Sequence, residues 1–293
     1  MKTNLARLIL ACVAVLVVGS PSALAQRQLG KKKGPTSKLY LAESTGDTQI
    51  QNGDKIYAAR QATAFDAPGT IIETKADSHD AFVYSNGTGM YVDQNTRVEI
   101  NQFVQEPFRP VREGGADAPV EPSISQSNVF VSRGAVGICT SKLVSGSSMS
   151  YGTPQALVNI RGGKVSIETN ANETVVDLLE GDITVRGGST DLGGQVLTAG
   201  ERAVITNGSA GQPPHITIGP IPPDRLQAID DRVTIACNAK KTVTFEVIEQ
   251  SANRGLDSAT TGGDTGGDIV AKPTVPADLP NNIVISPDRL PGN

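Results

Sequence analysis

The chain has no tryptophan, 4% aromatic residues and two histidines among its 293 residues. Each shortage closes off a class of function. His79 and His215 stand far apart with no cluster of ligating side chains around either, which leaves a zinc site or a Ser-His-Asp relay poorly supplied. The N-terminal apolar run, Leu8 to Val18, falls short of the ~20 residues that a membrane span needs. Basic residues do not outnumber acidic ones, with 26 Lys and Arg against 30 Asp and Glu, so no net positive field favours nucleic acid. Few large rings beside 31 Gly and 18 Pro describe many short strands and a lean core rather than long helices.

What is present begins with an export plan. Lys2 and Arg7 precede the apolar run, Gly19 to Ser22 break it, and Ala23-Leu24-Ala25 stand before Gln26. This is the charged, apolar and small-residue order of a secretory signal peptide, and it predicts residues 1–25 to be cleaved. Leu10-Ala11 before Cys12 raises a lipoprotein reading, but the apolar stretch continues past Cys12, where a lipidated chain should turn polar. Removing residues 1–25 takes away Lys2 and Arg7 and leaves 24 basic against 30 acidic residues. The mature chain then carries no membrane span. Lys31, Lys32, Lys33 and Lys38 form a solvated arm, with anionic lipid headgroups as a weaker alternative. Two cysteines remain, Cys139 and Cys237. Two readings stand: one disulfide, allowed by an oxidising compartment, or two separately buried thiols.

A pattern recurs in the middle of the chain. Val129, Val131, Val136 and Ile138 bracket Gly134; Val158, Ile160, Val165 and Ile167 bracket Gly163; Val176, Leu178, Ile183 and Val185 bracket Gly181. A looser copy, Val196, Thr198, Ala203 and Ile205, surrounds Gly200. Residues on one face of an unbroken strand differ by an even number, whereas Ile160 and Val165 differ by five. The chain must turn or bend between them. A two-residue loop at Gly162-Gly163 would make a hairpin. A glycine at positive φ in a bulge, a type II turn or a solenoid corner suits the copies with "SRGA" and "LEGD" better. At least one of Gly134, Gly163 and Gly181 should then have positive φ. Copies starting at 129, 158, 176 and 196 are too uneven for a strict solenoid.

The remaining segments fill out a mainly β plan of short-strand hairpin repeats, stacked solenoid-like or sandwich-like. Residues 26–69 supply an arm and the first strands, and residues 70–206 the main β domain. Asn86-Gly87 inside "AFVYSNGTGMYV" is a hairpin signal. "TRVEI" reads as another strand, and the Pro/Gly-rich residues 107–122 as a surface loop. In the extension 207–250, Pro223 with Leu226, Ile229 and Val233 marks a short helix, and Val243, Phe245 and Val247 a late strand. The composition of residues 251–293 points to a disordered tail whose deletion leaves the fold intact.

Candidate chemistry thins out on inspection. Gly162, Gly163 and Lys164 do not make a phosphate-binding loop, because Val158 and Val165 stand where Gly and Ser or Thr are needed. Asp264 and Asp268 are one imperfect copy of a calcium nonapeptide. Glu180 and Asp182 could serve glycoside hydrolysis, but both flank a turn glycine, where charged residues face water. Asn86, Asn172 and Asn207 match the glycosylation pattern and read most simply as turns. No catalytic, cofactor or metal residue is assigned. Gly87, Gly134, Gly163, Gly181 and Gly200 are assigned to turns.

The strands of residues 70–206, with "TP" at Thr153-Pro154 and "GERA" at Gly200–Ala203, resemble the FecR domain family of bacterial envelope proteins. The resemblance implies a β-rich periplasmic module that relays a signal from an outer-membrane transporter to a cytoplasmic anti-sigma segment. This chain departs from that plan by starting with a signal peptide instead of a cytoplasmic segment and a span. What the resemblance implies for it is a noncatalytic exported binding or scaffold module in the periplasm or at the cell surface, in the setting of envelope signalling. Its partner is expected to be an envelope protein or a cell-wall polymer, met through strand edges and through the loops 107–122 and 141–156. No cofactor is expected. The alternative is an enzyme or enzyme accessory acting on envelope polysaccharide.

Overall fold

The computed structural model describes residues 37–61, 63–108, 118–188, 191, 193–209, 212–250 and 268–274. The expected signal peptide and the lysines 31 to 33 lie outside them. The described chain is mainly β with one helix.

The first strands are β1 (Lys38–Thr45), β2 (Thr48–Asn52), β3 (Lys55–Ala58) and β4 (Thr63–Asp66). Next come β5 (Thr70–Thr74), β6 (His79–Tyr84), β7 (Gly89–Val92) and β8 (Arg97–Gln105). Three long strands follow, β9 (Ser125–Thr140), β11 (Leu157–Thr169) and β12 (Glu173–Arg186), with the short β10 (Ser148–Gly152) between the first two. After them stand β13 (Gln195–Leu197), β14 (Glu201–Thr206) and β15 (His215–Pro220), then α1 (Pro223–Thr242), β16 (Thr244–Gln250) and β17 (Asp268–Thr274). Strands β1 to β15 form one continuous, unclosed sheet.

That sheet folds over on itself because the three long strands change partners at their glycines. β9 pairs with β8 and β10 before Gly134, and with β7 and β11 after it. β11 pairs with β10 up to Ile160 and with β9 from Gly163 onward. β12 pairs with β14 through Leu178 and with β13 from Ile183. The result is two layers. The front layer holds β4, β1, β6, β7 and β14 to β15 with one half of each long strand; the back layer holds β3, β2, β5, β8, β10 and β13 with the other halves.

Gly134, Gly163 and Gly181 have φ of +90°, +123° and +109°. The chain bends at each and carries on as strand rather than reversing in a two-residue loop. The bend resolves the five-residue offset: all twelve apolar residues of the first three copies are at most 1% exposed and share one core between the layers. Tyr84 meets Phe103 across that core with ring centroids 5.0 Å apart, and the Tyr151 hydroxyl lies 3.8 Å from Met90 Sδ. The fourth copy departs from the pattern. Val196 is 63% exposed and its neighbour Leu197 is buried, because β13 is set one residue out of phase with the copies before it. At Asn86-Gly87 the chain does reverse. Val83 pairs with Gly89, and Gly87, at φ +84°, closes a three-residue loop.

The front layer has a second apolar face, and α1 covers it. Pro223 suits the first turn, Asp224 faces the helix's positive end, and Lys240 and Lys241 face its negative end. The buried stripe is Ile229, Val233, Ala236 and Ala239, while the expected Leu226 is 47% exposed. Small residues let the backbones come close. A Cβ at Gly89 would overlap the Ala236 carbonyl, and one at Gly137 would lie 2.6 Å from the Arg232 carbonyl oxygen. Arg232 ties the helix down through Asp93 at 2.9 Å and Glu168 at 3.1 Å. Cys139 on β9 and Cys237 on α1 are joined in a disulfide. Of the two cysteine readings, the structure takes the bonded one. In the tail, Asp268–Thr274 pair antiparallel with β16 as β17. Asp264 lies outside the described residues.

One buried group is out of place by charge. Asp80 is on the inward face of β6 with Phe82 and Tyr84, fully buried, and neither carboxylate oxygen has a hydrogen-bond partner among the described residues. Burial raises its pKa above the ordinary carboxylate value; the Ser44 and Thr48 hydroxyls, near it but outside hydrogen-bonding geometry, and the His79 charge oppose the shift, and Glu43 adds to it. The unfolded chain releases this proton from about pH 3.9 upward while the folded chain holds it. Stability from Asp80 is therefore present in full below that pH and lost as pH rises through the folded value. Asp80→Asn is expected to shrink the fall in stability between pH 4 and pH 8. Urea melts of parent and variant at both pH values check this, and parallel pH profiles would refute it.

Candidate functional site

Three segments meet beside the bends of β11 and β12 and line an open cleft of about 1600 Å³. They are Ala118, Pro119 and Ile124, the connection 141–147 between β9 and β10, and the corner where β11 and β12 bend at Gly162, Gly163 and Gly181. The volume exceeds the ~300–1000 Å³ of a small-molecule pocket. Both segments expected as recognition loops, 107–122 and 141–156, contribute to it, although Ser148–Gly152 of the second is not loop but strand β10, and residues 109–117 lie outside the described residues.

The glycines shape the corner by necessity. A Cβ at Gly163 would overlap the Glu180 carbonyl oxygen, and one at Gly181 the Gly162 carbonyl oxygen, because the two bent strands face each other there with Gly163 opposite Gly181. Turning apolar flanks inward leaves the residues beside the glycines outside. Arg161, Lys164, Glu180 and Asp182 therefore face the cleft.

The 141–147 connection is held by backbone and by one buried acid. Lys142 N–H donates to the Pro119 carbonyl at 3.0 Å, and Glu121 N–H to the Lys142 carbonyl at 3.1 Å. Leu143 N–H donates to the Arg161 carbonyl at 2.9 Å, joining the connection to the corner. Glu121 is 5% exposed. One of its oxygens accepts Val144 N–H at 2.9 Å and the other accepts the Ser125 hydroxyl at 2.6 Å. Burial raises the Glu121 pKa, and the donors from Ser125, Ser147, Val144 and Asn86 oppose the shift. Asn86 gives its side-chain nitrogen to Ser125 and Glu121 and is 2% exposed, so this sequon is not placed to carry a glycan.

The cleft is mixed in charge with a cationic excess. Lys142, Arg161, Lys164, Arg186 and Lys240 line it against Glu106, Glu180 and Asp182. Lys164 is paired with Glu180 at 2.7 Å, and Lys240 donates to the Ser141 hydroxyl at 2.6 Å. Lys142 and Arg161 have no ion pair among the described residues, and the buried Arg186 Nε has no hydrogen-bond partner there. Among the described residues no aromatic ring lines the cleft.

Other sequence candidates are dispersed. His79 opens β6 with its ring 5.7 Å from Tyr91, and His215 opens β15. Among the described residues no group of three His, Cys, Asp or Glu side chains is placed to hold a metal ion. Sequence reasoning names the two loops but not Lys142, Arg186 or Lys240, which come from segments almost a hundred residues apart. A scatter of single cations carries no local signal, and the fold alone collects it.

Among the described residues no helix is long and apolar enough to cross a membrane. No family model matches the chain, and no curated protein matches it. It is similar to two crystal structures, each of "a putative anti-sigma factor" from Parabacteroides distasonis, with 14% and 13% identity. The matches cover 54% of this chain and 62% and 63% of those chains, each with a TM-score of 0.38.

Proposed function

We propose that this chain is a noncatalytic binding module exported to the bacterial envelope, periplasmic or surface-held, that works in envelope signalling by gripping a partner in the cleft beside the Gly163–Gly181 corner. The observation that carries the reading is the convergence on one cleft of the two loops that the sequence marks for recognition, held in place by buried Glu121. The signal-like N-terminus and the Cys139–Cys237 bond fit an oxidising compartment.

The polysaccharide-enzyme reading keeps one observation in its favour, since Glu180 and Asp182 both line the cleft. Glu180, however, has a side chain 67% exposed and paired with Lys164. An exposed, ion-paired carboxylate is not the enclosed acid position that glycoside hydrolysis calls for. The mature chain is expected to capture an envelope component in a pull-down, with Arg161→Glu weakening capture, and to turn over no peptidoglycan, polysaccharide or ester. Turnover abolished by Asp182→Asn would replace the binding reading with the enzymatic one.

A further inference from the structure

We infer that the cleft takes an extended acidic peptide segment of a partner protein, one that mixes carboxylates with aliphatic side chains. The inference rests on the cleft being the recognition site. Three observations select this chemistry.

The first is charge. The whole chain has a formal net charge of −4, yet among the described residues this cleft is lined by five cations and three acids. One acid, Glu180, is spent on Lys164. Lys142 and Arg161 are exposed and face the cleft without an ion pair among the described residues. A carboxylate ligand would supply what these groups lack, and Arg favours the bidentate geometry that a carboxylate offers.

The second is the apolar component. Ile124, Leu143, Val144 and Leu157 are half-buried and stand among the cations. Aliphatic side chains of a peptide would complete their burial, whereas a uniformly charged chain would leave them wet. The third is the absence of any aromatic ring in the lining among the described residues. A sugar ring or a nucleobase finds no flat platform to stack on, which separates this cleft from sites for glycans and single-stranded nucleic acid. Its openness and volume suit several residues of extended chain rather than a compact small molecule.

The test uses the exported mature chain and fluorescence anisotropy with three labelled probes: a decapeptide of alternating Glu and Leu, its Lys-Leu counterpart, and an oligogalacturonate of similar charge. The Glu-Leu peptide is expected to bind and to weaken at least tenfold between 50 and 300 mM NaCl, as contacts between exposed charges are screened. Lys142→Glu and Arg161→Glu should each weaken it about tenfold while keeping the parental melting temperature. The Lys-Leu peptide should not bind. Preferential binding of the oligogalacturonate, lost in Arg161→Glu, would overturn the peptide inference and leave the cleft as a recognition site. Binding of no probe, or binding indifferent to both charge reversals, would overturn the inference and count against the cleft itself.

Discussion

Gly163→Ala is expected to destabilise the protein by about 3 kcal/mol or more, from the addition of one methyl group. Two costs add. The residue has φ +123°, a conformation that strains any side chain by ~1–2 kcal/mol. The new Cβ also overlaps the Glu180 carbonyl oxygen and lies 2.7 Å from Gly181 Cα, and this is rigid backbone on a paired strand. Gly87→Ala separates the two costs. Gly87 has φ +84° with nothing within 4 Å of its Cβ position, so it should lose only the conformational part, about 1 kcal/mol. Denaturant melts of both variants decide the matter. Equal losses would mean that crowding at the corner contributes nothing.

Loss of the Cys139–Cys237 bond should be costlier still. The linked residues are 98 apart in sequence, and constraining the unfolded chain over such a loop stabilises the folded state by about 4–5 kcal/mol in the chain-entropy model, an upper figure. The bond also fastens α1 to the front layer, where the helix covers Val83 and Tyr40. The Cys139→Ser, Cys237→Ser double variant should melt at a markedly lower temperature, with amide exchange in α1 accelerated more than in β9. An unchanged melting temperature after substitution would refute both points.

The core copies were legible because the chain writes them in large apolar residues at fixed spacing. Val158, Ile160, Val165 and Ile167 could share a face only if the backbone bent between them, and the bend was deducible from parity alone. Whether the chain would reverse there was not deducible. A glycine at positive φ serves a hairpin or a bulge equally well, and the choice lies with partner strands dozens of residues away. The helix shows the complementary failure. Ile229 and Val233 stood out, but Ala236 and Ala239 carry little hydrophobic signal, and the reason they are small is at Gly89 and Gly137 on other strands. Strand β17 was missed for a related reason: its apolar residues are few and set in a Gly- and Asp-rich tail. At the cleft, residues 107–122 are marked by composition and 141–156 by lying between two copies, but Lys142, Arg186 and Lys240 belong together only once the layers have folded.

The passage of β9, β11 and β12 through both layers limits how this architecture can change over generations. An ordinary repeat array gains or loses whole units, since each touches only its neighbours. Here the copy at Leu157–Thr169 pairs with β9 and β12 in the front layer and with β10 and β12 in the back. Excising it would open a gap in both layers at once, and inserting another would demand new partners on both sides. Although the copies look alike in sequence, their number is locked, and diversification is left to the connections that line the cleft.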